Sequence, residues 1–166
     1  MPIENEIKFV ISDELEESAL SDWERIPIIQ AYLDDGPRIR RFGDQYVFTY
    51  KRWLKDHRAQ IEIETFIEKS DFQKLYEQCE ISLKKTRYSK QYAQESWVID
   101  FFKDKGDQTY FILAEVELAE GKLRAENIPS LIKPYIQYEA QRGDDDYSSR
   151  ALADTAHAKR LLKTHS

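Results

Sequence analysis

Cysteine is almost absent from this 166-residue chain: Cys79 is the single one, so no disulfide can form within the chain. A chain without disulfides fits a reducing compartment. The sequence also lacks an apolar run of 18 residues and an apolar N-terminal segment of the signal-peptide kind. We therefore expect a cytoplasmic protein with neither a signal peptide nor a membrane span.

Other absences narrow the class of function. The net charge of −6 argues against a protein that coats nucleic acid, and we expect no sequence-specific nucleic-acid partner. The sequence contains neither the phosphate-binding loop GxxxxGK[ST] nor a Gly-x-Ser-x-Gly nucleophile elbow. No internal repeat or Pro/Gly/Ser-rich linker divides the chain, so we expect one domain over residues 1–166.

What the chain does contain is a series of short segments rich in Ile, Val, Tyr and Phe, which predict strands. We place eight of them at residues 2–11, 26–33, 37–42, 45–53, 58–67, 81–89, 95–103 and 109–119. Most of their connections are too short for parallel crossovers, so the sheet is expected to be antiparallel. Helices are expected over residues 13–24, 70–80 (with Ser70 and Gln73 as a capping box) and 148–163.

The charged residues of these strands alternate with apolar ones. At the N-terminus, Glu4, Glu6 and Lys8 share one face, because successive side chains of a strand point to opposite sides. The other strands repeat the pattern, with acidic or basic residues in pairs. The residues are Arg38, Arg40, Lys51, Arg58, Glu62, Glu64, Lys85, Arg87, Glu115 and Glu117, while Asp100 stands alone among apolar neighbours.

For a single strand, the simplest explanation of this alternation is an antiparallel sheet with one face in water. Six such strands favour an α+β fold: a closed eight-stranded antiparallel β-barrel with helices packed outside and the charges inside. Enclosed charges need partners, because an uncompensated buried ion is costly. A polyphosphate matches the cations, and Mg²⁺ or Mn²⁺ matches the carboxylate pairs.

The sequence resembles the CYTH domain family, also called triphosphate tunnel metalloenzymes. The resemblance begins with Glu4-x-Glu6-x-Lys8 and ends with Tyr147 followed by Ala151-Leu152-Ala153. Between them lie QAYL at 30–33, RIR at 38–40, TYK at 49–51, KTRY at 85–88, WVIDFF at 97–102 and AEVEL at 114–118. This resemblance implies an eight-stranded tunnel with helices outside and a C-terminal helix near one mouth.

The resemblance also implies a site, whose residues fall into three overlapping sets. Metal, as Mg²⁺ or Mn²⁺, would be held by Glu4, Glu6, Glu62, Glu64, Glu115 and Glu117. Phosphate oxygens would be bound by Lys8, Arg38, Arg40, Lys51, Arg58, Lys85 and Arg87. The catalytic set would be Glu4, Glu6, Lys8 and Lys85. Two departures stand out: Gln60 replaces an expected glutamate, which puts a second metal site in question, and EAQRGDDDY before the closing segment lacks Glu-Val-Thr.

The function expected from these residues is metal-dependent hydrolysis of a triphosphate, either inorganic tripolyphosphate or a nucleoside or organic triphosphate. One alternative is an adenylate cyclase that forms cyclic AMP and pyrophosphate from ATP; the absence of a His-Phe pair after Arg41-Phe42 weakens it. Another is a non-catalytic binder of polyphosphate or of triphosphorylated RNA ends. The expected partner is a triphosphate-bearing small molecule. A homodimer is possible, and the sequence does not determine the oligomeric state.

Overall fold

The structure is a computed structural model that describes residues 5–34, 36–53 and 60–166, with only the backbone of Trp53 and Gln60. Nine strands run in the order β1 Glu6–Ile11, β2 Glu24–Tyr32, β3 Arg38–Phe42, β4 Gln45–Trp53, β5 Gln60–Phe66, β6 Ile81–Tyr92, β7 Glu95–Lys103, β8 Thr109–Glu117 and β9 Ile136–Glu139. The helices are α1 Lys69–Glu77, α2 Ser149–Leu152 and α3 Thr155–His165, with 3₁₀ turns at Glu17–Leu20, Lys133–Tyr135 and Asp145–Tyr147.

The strands form one antiparallel sheet in the order β5-β4-β3-β2-β6-β7-β8-β1-β9. The α+β class is thus confirmed. The predicted eight strands are all present, but β9 was missed, because four residues are too few to show a clear alternation. Among the described residues, backbone hydrogen bonds do not join β5 to β9, so the closed barrel is not confirmed.

Strand register sorts the side chains of the sheet, because residues directly opposite each other on paired strands point to the same side. We call the side that carries Glu6 and Lys8 the inner face. Its charged residues include Glu6, Lys8, Glu24, Arg38, Arg40, Lys51, Glu62, Glu64, Lys85, Arg87, Asp100, Glu115 and Glu117. The face predicted from alternation is therefore confirmed for the described strands.

The outer face is apolar and covered in two places. Phe9 and Trp97 belong to a core that also contains Leu20 and Trp23 from the segment after β1 and Ile132 from the long connection after β8. Farther along the sheet, α1 packs Phe72 against Ala31 and Ile39. These covers remove apolar side chains from water, which is the main favourable contribution to folding.

The C-terminal helices lie on the other side of the sheet. Val10 and Leu113 are cross-strand partners that extend the inner face beyond the charged residues of β1 and β8, and they pack with Tyr147, Leu152 and Ala158. One end of the inner face is therefore apolar and covered by α2 and α3. The prediction had helices outside a closed barrel and a C-terminal helix near one mouth; in the structure α1 packs on the outer face, and α2 and α3 lie at one end of the inner face.

Three further details of the helices differ from the predictions. Residues 13–24 form only a short 3₁₀ turn, and the segment ends in β2. α1 begins one residue before Ser70, and its N-cap residue Glu68 makes no side-chain capping bond, so the capping box is wrong. The C-terminal helix is interrupted after Leu152, because Asp154 accepts hydrogen bonds from the backbone N–H groups of Ala156 and His157 and starts a new helix. None of the helices in the described part of the chain is long and apolar enough to cross a membrane.

Candidate active site on the inner face

A buried ion cluster lies at the centre of the inner face. Asp100 of β7 is opposite Arg87 of β6, and its side chain is fully enclosed. Arg87 donates two hydrogen bonds to Asp100, from Nε to Oδ1 and from a terminal nitrogen to Oδ2, both at 2.8 Å. Lys85 Nζ donates to Asp100 Oδ2 at 2.8 Å and to Ser149 Oγ at 3.2 Å. One carboxylate thus compensates two cations.

The pKa shifts of this cluster follow from burial and from the net charge. Burial opposes ionisation of Asp100, but Lys85 and Arg87 outweigh it and lower the pKa of Asp100 to about 2. Burial also opposes the charge on Arg87, yet its bonds to Asp100 raise the pKa of Arg87. Burial lowers the pKa of Lys85 despite the attraction of Asp100, because Lys85 is 3% exposed and Arg87 repels it.

The arginines of β3 have a different environment. Arg38 and Arg40 lie on the inner face, and their Nε atoms are buried without a hydrogen-bond acceptor in the described part of the chain. Among the described residues, the carboxylate nearest to Arg40 is that of Glu64, whose Oε2 is 3.5 Å from a terminal nitrogen of Arg40. Burial, followed by repulsion from Arg38, lowers the pKa of Arg40 to about 10, so the Arg40 side chain remains charged at neutral pH. The pair is a cationic site with little compensation.

β4 and β5 carry the remaining charges of that half of the sheet. Lys51 Nζ lies 3.8 Å from Glu62 Oε1, and these two residues are cross-strand partners. Glu64 accepts a hydrogen bond of 3.2 Å from Thr49. Glu62 and Glu64 are both exposed. Arg58, which we expected to bind phosphate, lies outside the described residues, so its role stays a prediction.

The acidic end of the inner face lies on β1 and β8. Glu6 and Glu117 are cross-strand partners, and Glu115 lies opposite Lys8. Glu6, Glu115, Glu117 and Arg87 line a cavity of about 220 Å³. Lys8 Nζ lies 3.6 Å from Glu6 Oε1 and donates a long hydrogen bond of 3.4 Å to the carbonyl oxygen of Tyr147.

The donor set of this cavity has the chemistry that a divalent metal requires. Carboxylate oxygens are the ligands that Mg²⁺ and Mn²⁺ prefer, and three glutamates face one space. In residues 5–34, 36–53 and 60–166, no three His, Cys, Asp or Glu side chains are placed closely enough to hold a metal ion. Glu4, which we expected to be a fourth ligand, lies outside those residues. The donor types fit a metal, and the ligand assignments stay predictions.

Sequence reasoning missed the residues that organise these groups. Asp100 was noticed but given no role; a lone acid on the inner side of an apolar strand is itself a signal, because a buried charge needs a partner. The contacts of the segment after β9 with the inner face were also missed. It supplies Ser149 to Lys85 and the carbonyl of Tyr147 to Lys8, and no local pattern predicts either contact.

The end of α3 is fixed by aromatic contacts. His165 stacks on Tyr138 of β9 with ring centroids 3.8 Å apart, and its Nε2 lies 2.6 Å from the hydroxyl of Tyr147. Burial raises the pKa of Tyr147 to about 12, so its hydroxyl stays protonated over the working range of pH. These contacts hold α3 against the segment whose carbonyl bonds Lys8.

Most of the chain matches the model of a known protein family. The family model of the CYTH domain matches residues 2–132, which is most of the chain. The chain belongs to the CYTH domain family. The family includes triphosphatases and adenylate cyclases, binds triphosphate substrates and is typically dependent on divalent metal. The match ends at residue 132, before α2 and α3.

One solved structure has a similar fold. The crystal structure of the hypothetical protein NE1496 is 25% identical, with a TM-score of 0.63; the alignment covers 91% of this chain and 97% of that one. A second crystal structure, of a proposed adenylate cyclase from Bacillus halodurans, is 17% identical with a TM-score of 0.48, covering 71% and 81%. No curated protein matches the chain.

Proposed function

We propose that this CYTH domain protein is a metal-dependent triphosphatase, and that inorganic tripolyphosphate is its simplest substrate. The observation that supports this most is the arginine pair of β3. Two guanidinium groups on the inner face have buried Nε atoms without an acceptor in the described residues, and only Arg40 has a described carboxylate within 4 Å, at 3.5 Å. Buried donors without acceptors are costly, and a chain of phosphate oxygens supplies both the acceptors and the negative charge.

The substrate would be bound by cations from several strands. Arg38 and Arg40 present planar forks that suit bidentate bonds to phosphate oxygens, whereas Lys8 and Lys51 act as point charges. Lys85 and Arg87 retain one net positive charge after compensation by Asp100 and add to the field. Because these groups are already in place before binding, they neutralise charge without reorganising during the reaction.

Divalent metal would be held by Glu6, Glu115 and Glu117, with Glu4, Glu62 and Glu64 as further predicted ligands. When bound, Mg²⁺ or Mn²⁺ would neutralise charge on the phosphate oxygens. The protein's own groups would position the nucleophile: Glu6 or Glu117 accepts a hydrogen bond from water and takes its proton. The water oxygen bonds to the terminal phosphorus, and the bond to the bridging oxygen breaks. Lys8 and Lys85 then stabilise the charge on the departing diphosphate.

The proposal is tested by incubating the purified protein with tripolyphosphate and either Mg²⁺ or Mn²⁺ and measuring phosphate. We expect release that stops in excess EDTA. A parallel incubation with ATP distinguishes the alternatives, because a cyclase forms cyclic AMP and pyrophosphate. Binding of tripolyphosphate without any product would instead identify a non-catalytic binder, and full phosphate release in EDTA would contradict the metal requirement.

Charge-neutral variants test the acidic end. Glu6→Gln and Glu117→Gln remove a charge but almost no volume, so the fold should survive while turnover falls by about 10²-fold, the order expected for a misplaced reacting group. Glu120→Gln, an exposed residue of the connection after β8, is the matched control. Turnover equal to the parent in both inner-face variants would exclude these carboxylates from the reaction.

A further inference from the structure

Tyr32 of β2 lies at the meeting point of three guanidinium groups. Its Cα is paired with that of Arg38, and its neighbour Gln30 is paired with Arg40, so all four side chains share the inner face. Gln30 Nε2 donates a hydrogen bond of 2.6 Å to the Tyr32 hydroxyl and fixes the ring. The third guanidinium comes from outside the sheet: Arg150 of α2 lies over the ring, 5.6 Å from its centroid.

The pKa of Tyr32 responds to all three groups. Burial raises the pKa of Tyr32, while Arg38, Arg150 and Arg40 each oppose that rise, as does the bond from Gln30. The register places Arg38 and Arg40 on the same face as this phenol, and Arg150 contacts its ring. Three cations around one ring repel one another, and contact with the ring face offsets only part of that repulsion.

The position of Arg150 is held by the fold. Ser148 caps α2 by accepting a hydrogen bond from the backbone of Ala151. Leu152 is fully buried, and its carbonyl oxygen accepts a hydrogen bond of 2.9 Å from the hydroxyl of Tyr110. Ser149, next to Arg150, bonds Lys85. α2 is thus fixed at both ends, while the Arg150 residue itself remains exposed.

Negative charge near this group is scarce. Within residues 5–34, 36–53 and 60–166, Glu64 is the one carboxylate within 4 Å of any of the three guanidiniums, and it contacts Arg40 alone. A cluster with this excess of positive charge, next to buried donors without acceptors, is complementary to a polyanion.

Resting on the triphosphate site proposed above, we infer that Arg150 is a further substrate-binding residue, which α2 places beside Arg38 and Arg40 to contact phosphate oxygens at that end of the inner face. The cation site is then made by two separate parts of the chain. One part lies within the span matched by the family model, and the other lies beyond it.

The test is calorimetric titration with sodium tripolyphosphate in EDTA, which measures the cation contacts without hydrolysis. We expect Arg150→Gln to weaken binding by about tenfold, the order of one charge-assisted hydrogen bond, with an unchanged melting temperature. Arg150→Lys, which keeps the charge but loses the fork, should fall between Arg150→Gln and the parent. Arg160→Gln on α3 removes the same charge from an exposed position and should bind as the parent does.

The outcomes separate this inference from the proposed function. The role of Arg150 is overturned if Arg150→Gln binds tripolyphosphate as the parent does, or if the parent does not bind it in EDTA. Neither result affects the proposed triphosphatase activity, which the release of phosphate with Mg²⁺ tests separately. Conversely, a parent protein that binds tripolyphosphate but releases no phosphate overturns the triphosphatase and leaves the Arg150 contact intact. Where Arg150→Gln melts at a lower temperature, the Arg150→Lys variant decides, because it retains the side chain's length and charge.

Discussion

Two pairs of cations on the inner face, each formed by residues two apart on one strand, have opposite environments. Lys85 and Arg87 of β6 share the buried carboxylate of Asp100, which hydrogen-bonds both at 2.8 Å. Arg38 and Arg40 of β3 have buried Nε atoms with no acceptor in the described residues. The first pair is compensated by the protein itself, so removing its carboxylate should destabilise the fold. The second pair lacks such compensation among the described residues, so under the proposed function its contribution to binding should be large.

The largest expected effect on stability comes from removing the carboxylate charge of Asp100. Asp100→Asn leaves two buried cations without a carboxylate, and breaking a buried ion pair from one side costs about 3–5 kcal/mol. For a chain of this size we expect the melting temperature to fall by on the order of 10 °C. Thermal unfolding followed by circular dichroism measures it, with exposed Asp13→Asn as the matched control. A parent-like melting temperature for Asp100→Asn would mean that the cluster is not structural.

Binding of an anion to Arg38 and Arg40 should raise the melting temperature. Tripolyphosphate that binds only the folded state adds about 2.7 kcal/mol at a hundredfold excess over Kd, or about 5–10 °C in melting temperature. Thermal unfolding in EDTA with increasing tripolyphosphate measures this shift. Sodium sulfate at equal ionic strength is the control for general salt effects, and an equal shift with sulfate would contradict a specific site.

Arg40 and Arg41 are adjacent in β3 but lie on opposite faces of the sheet, so variants of the two test the inner-face site directly. Arg40→Gln should weaken tripolyphosphate binding by about 10- to 100-fold, the range for hydrogen bonds to charged groups, while the melting temperature stays the same or rises because repulsion from Arg38 is relieved. Arg41→Gln changes the neighbouring arginine, which is exposed on the outer face and donates to the carbonyl of Gly43. Calorimetric titration of both variants is decisive, since equal affinities would disprove the assignment of faces.

The smallest expected effect is the acid dependence of the compensated cluster. The pKa of Asp100 is about 2 in the folded state, below its ordinary value of 3.8. A carboxyl whose pKa is lowered by folding stabilises the protein above its unfolded pKa, and this contribution is lost as the pH falls through the folded pKa. The cluster should therefore lose about 2 kcal/mol between pH about 4 and 2. Carboxyl NMR of Asp100 measures the titration, and a midpoint near 4 would contradict strong compensation.

Much of the inner face could be predicted from the sequence. The alternation of Glu6 and Lys8, of Lys85 and Arg87, and of Glu115 and Glu117 placed these residues on one side, and the register confirms it. Such predictions succeed because side-chain direction in a strand is set by the backbone of that strand alone, with a period of two. Their roles in metal and phosphate binding stay predictions.

Tertiary structure decided which charges meet. Asp100 lies between Lys85 and Arg87 because strands β6 and β7 pair in one particular register, which no single strand encodes. Arg150 and Ser149 reach the inner face because the C-terminal segment folds back over it. More than a hundred residues of chain separate Arg150 from Tyr32, the residue that it contacts. The sequence by itself determined which way each charge points, since that is local geometry. Compensation of those charges depends on contacts between distant segments, and only packing of the whole chain selects them.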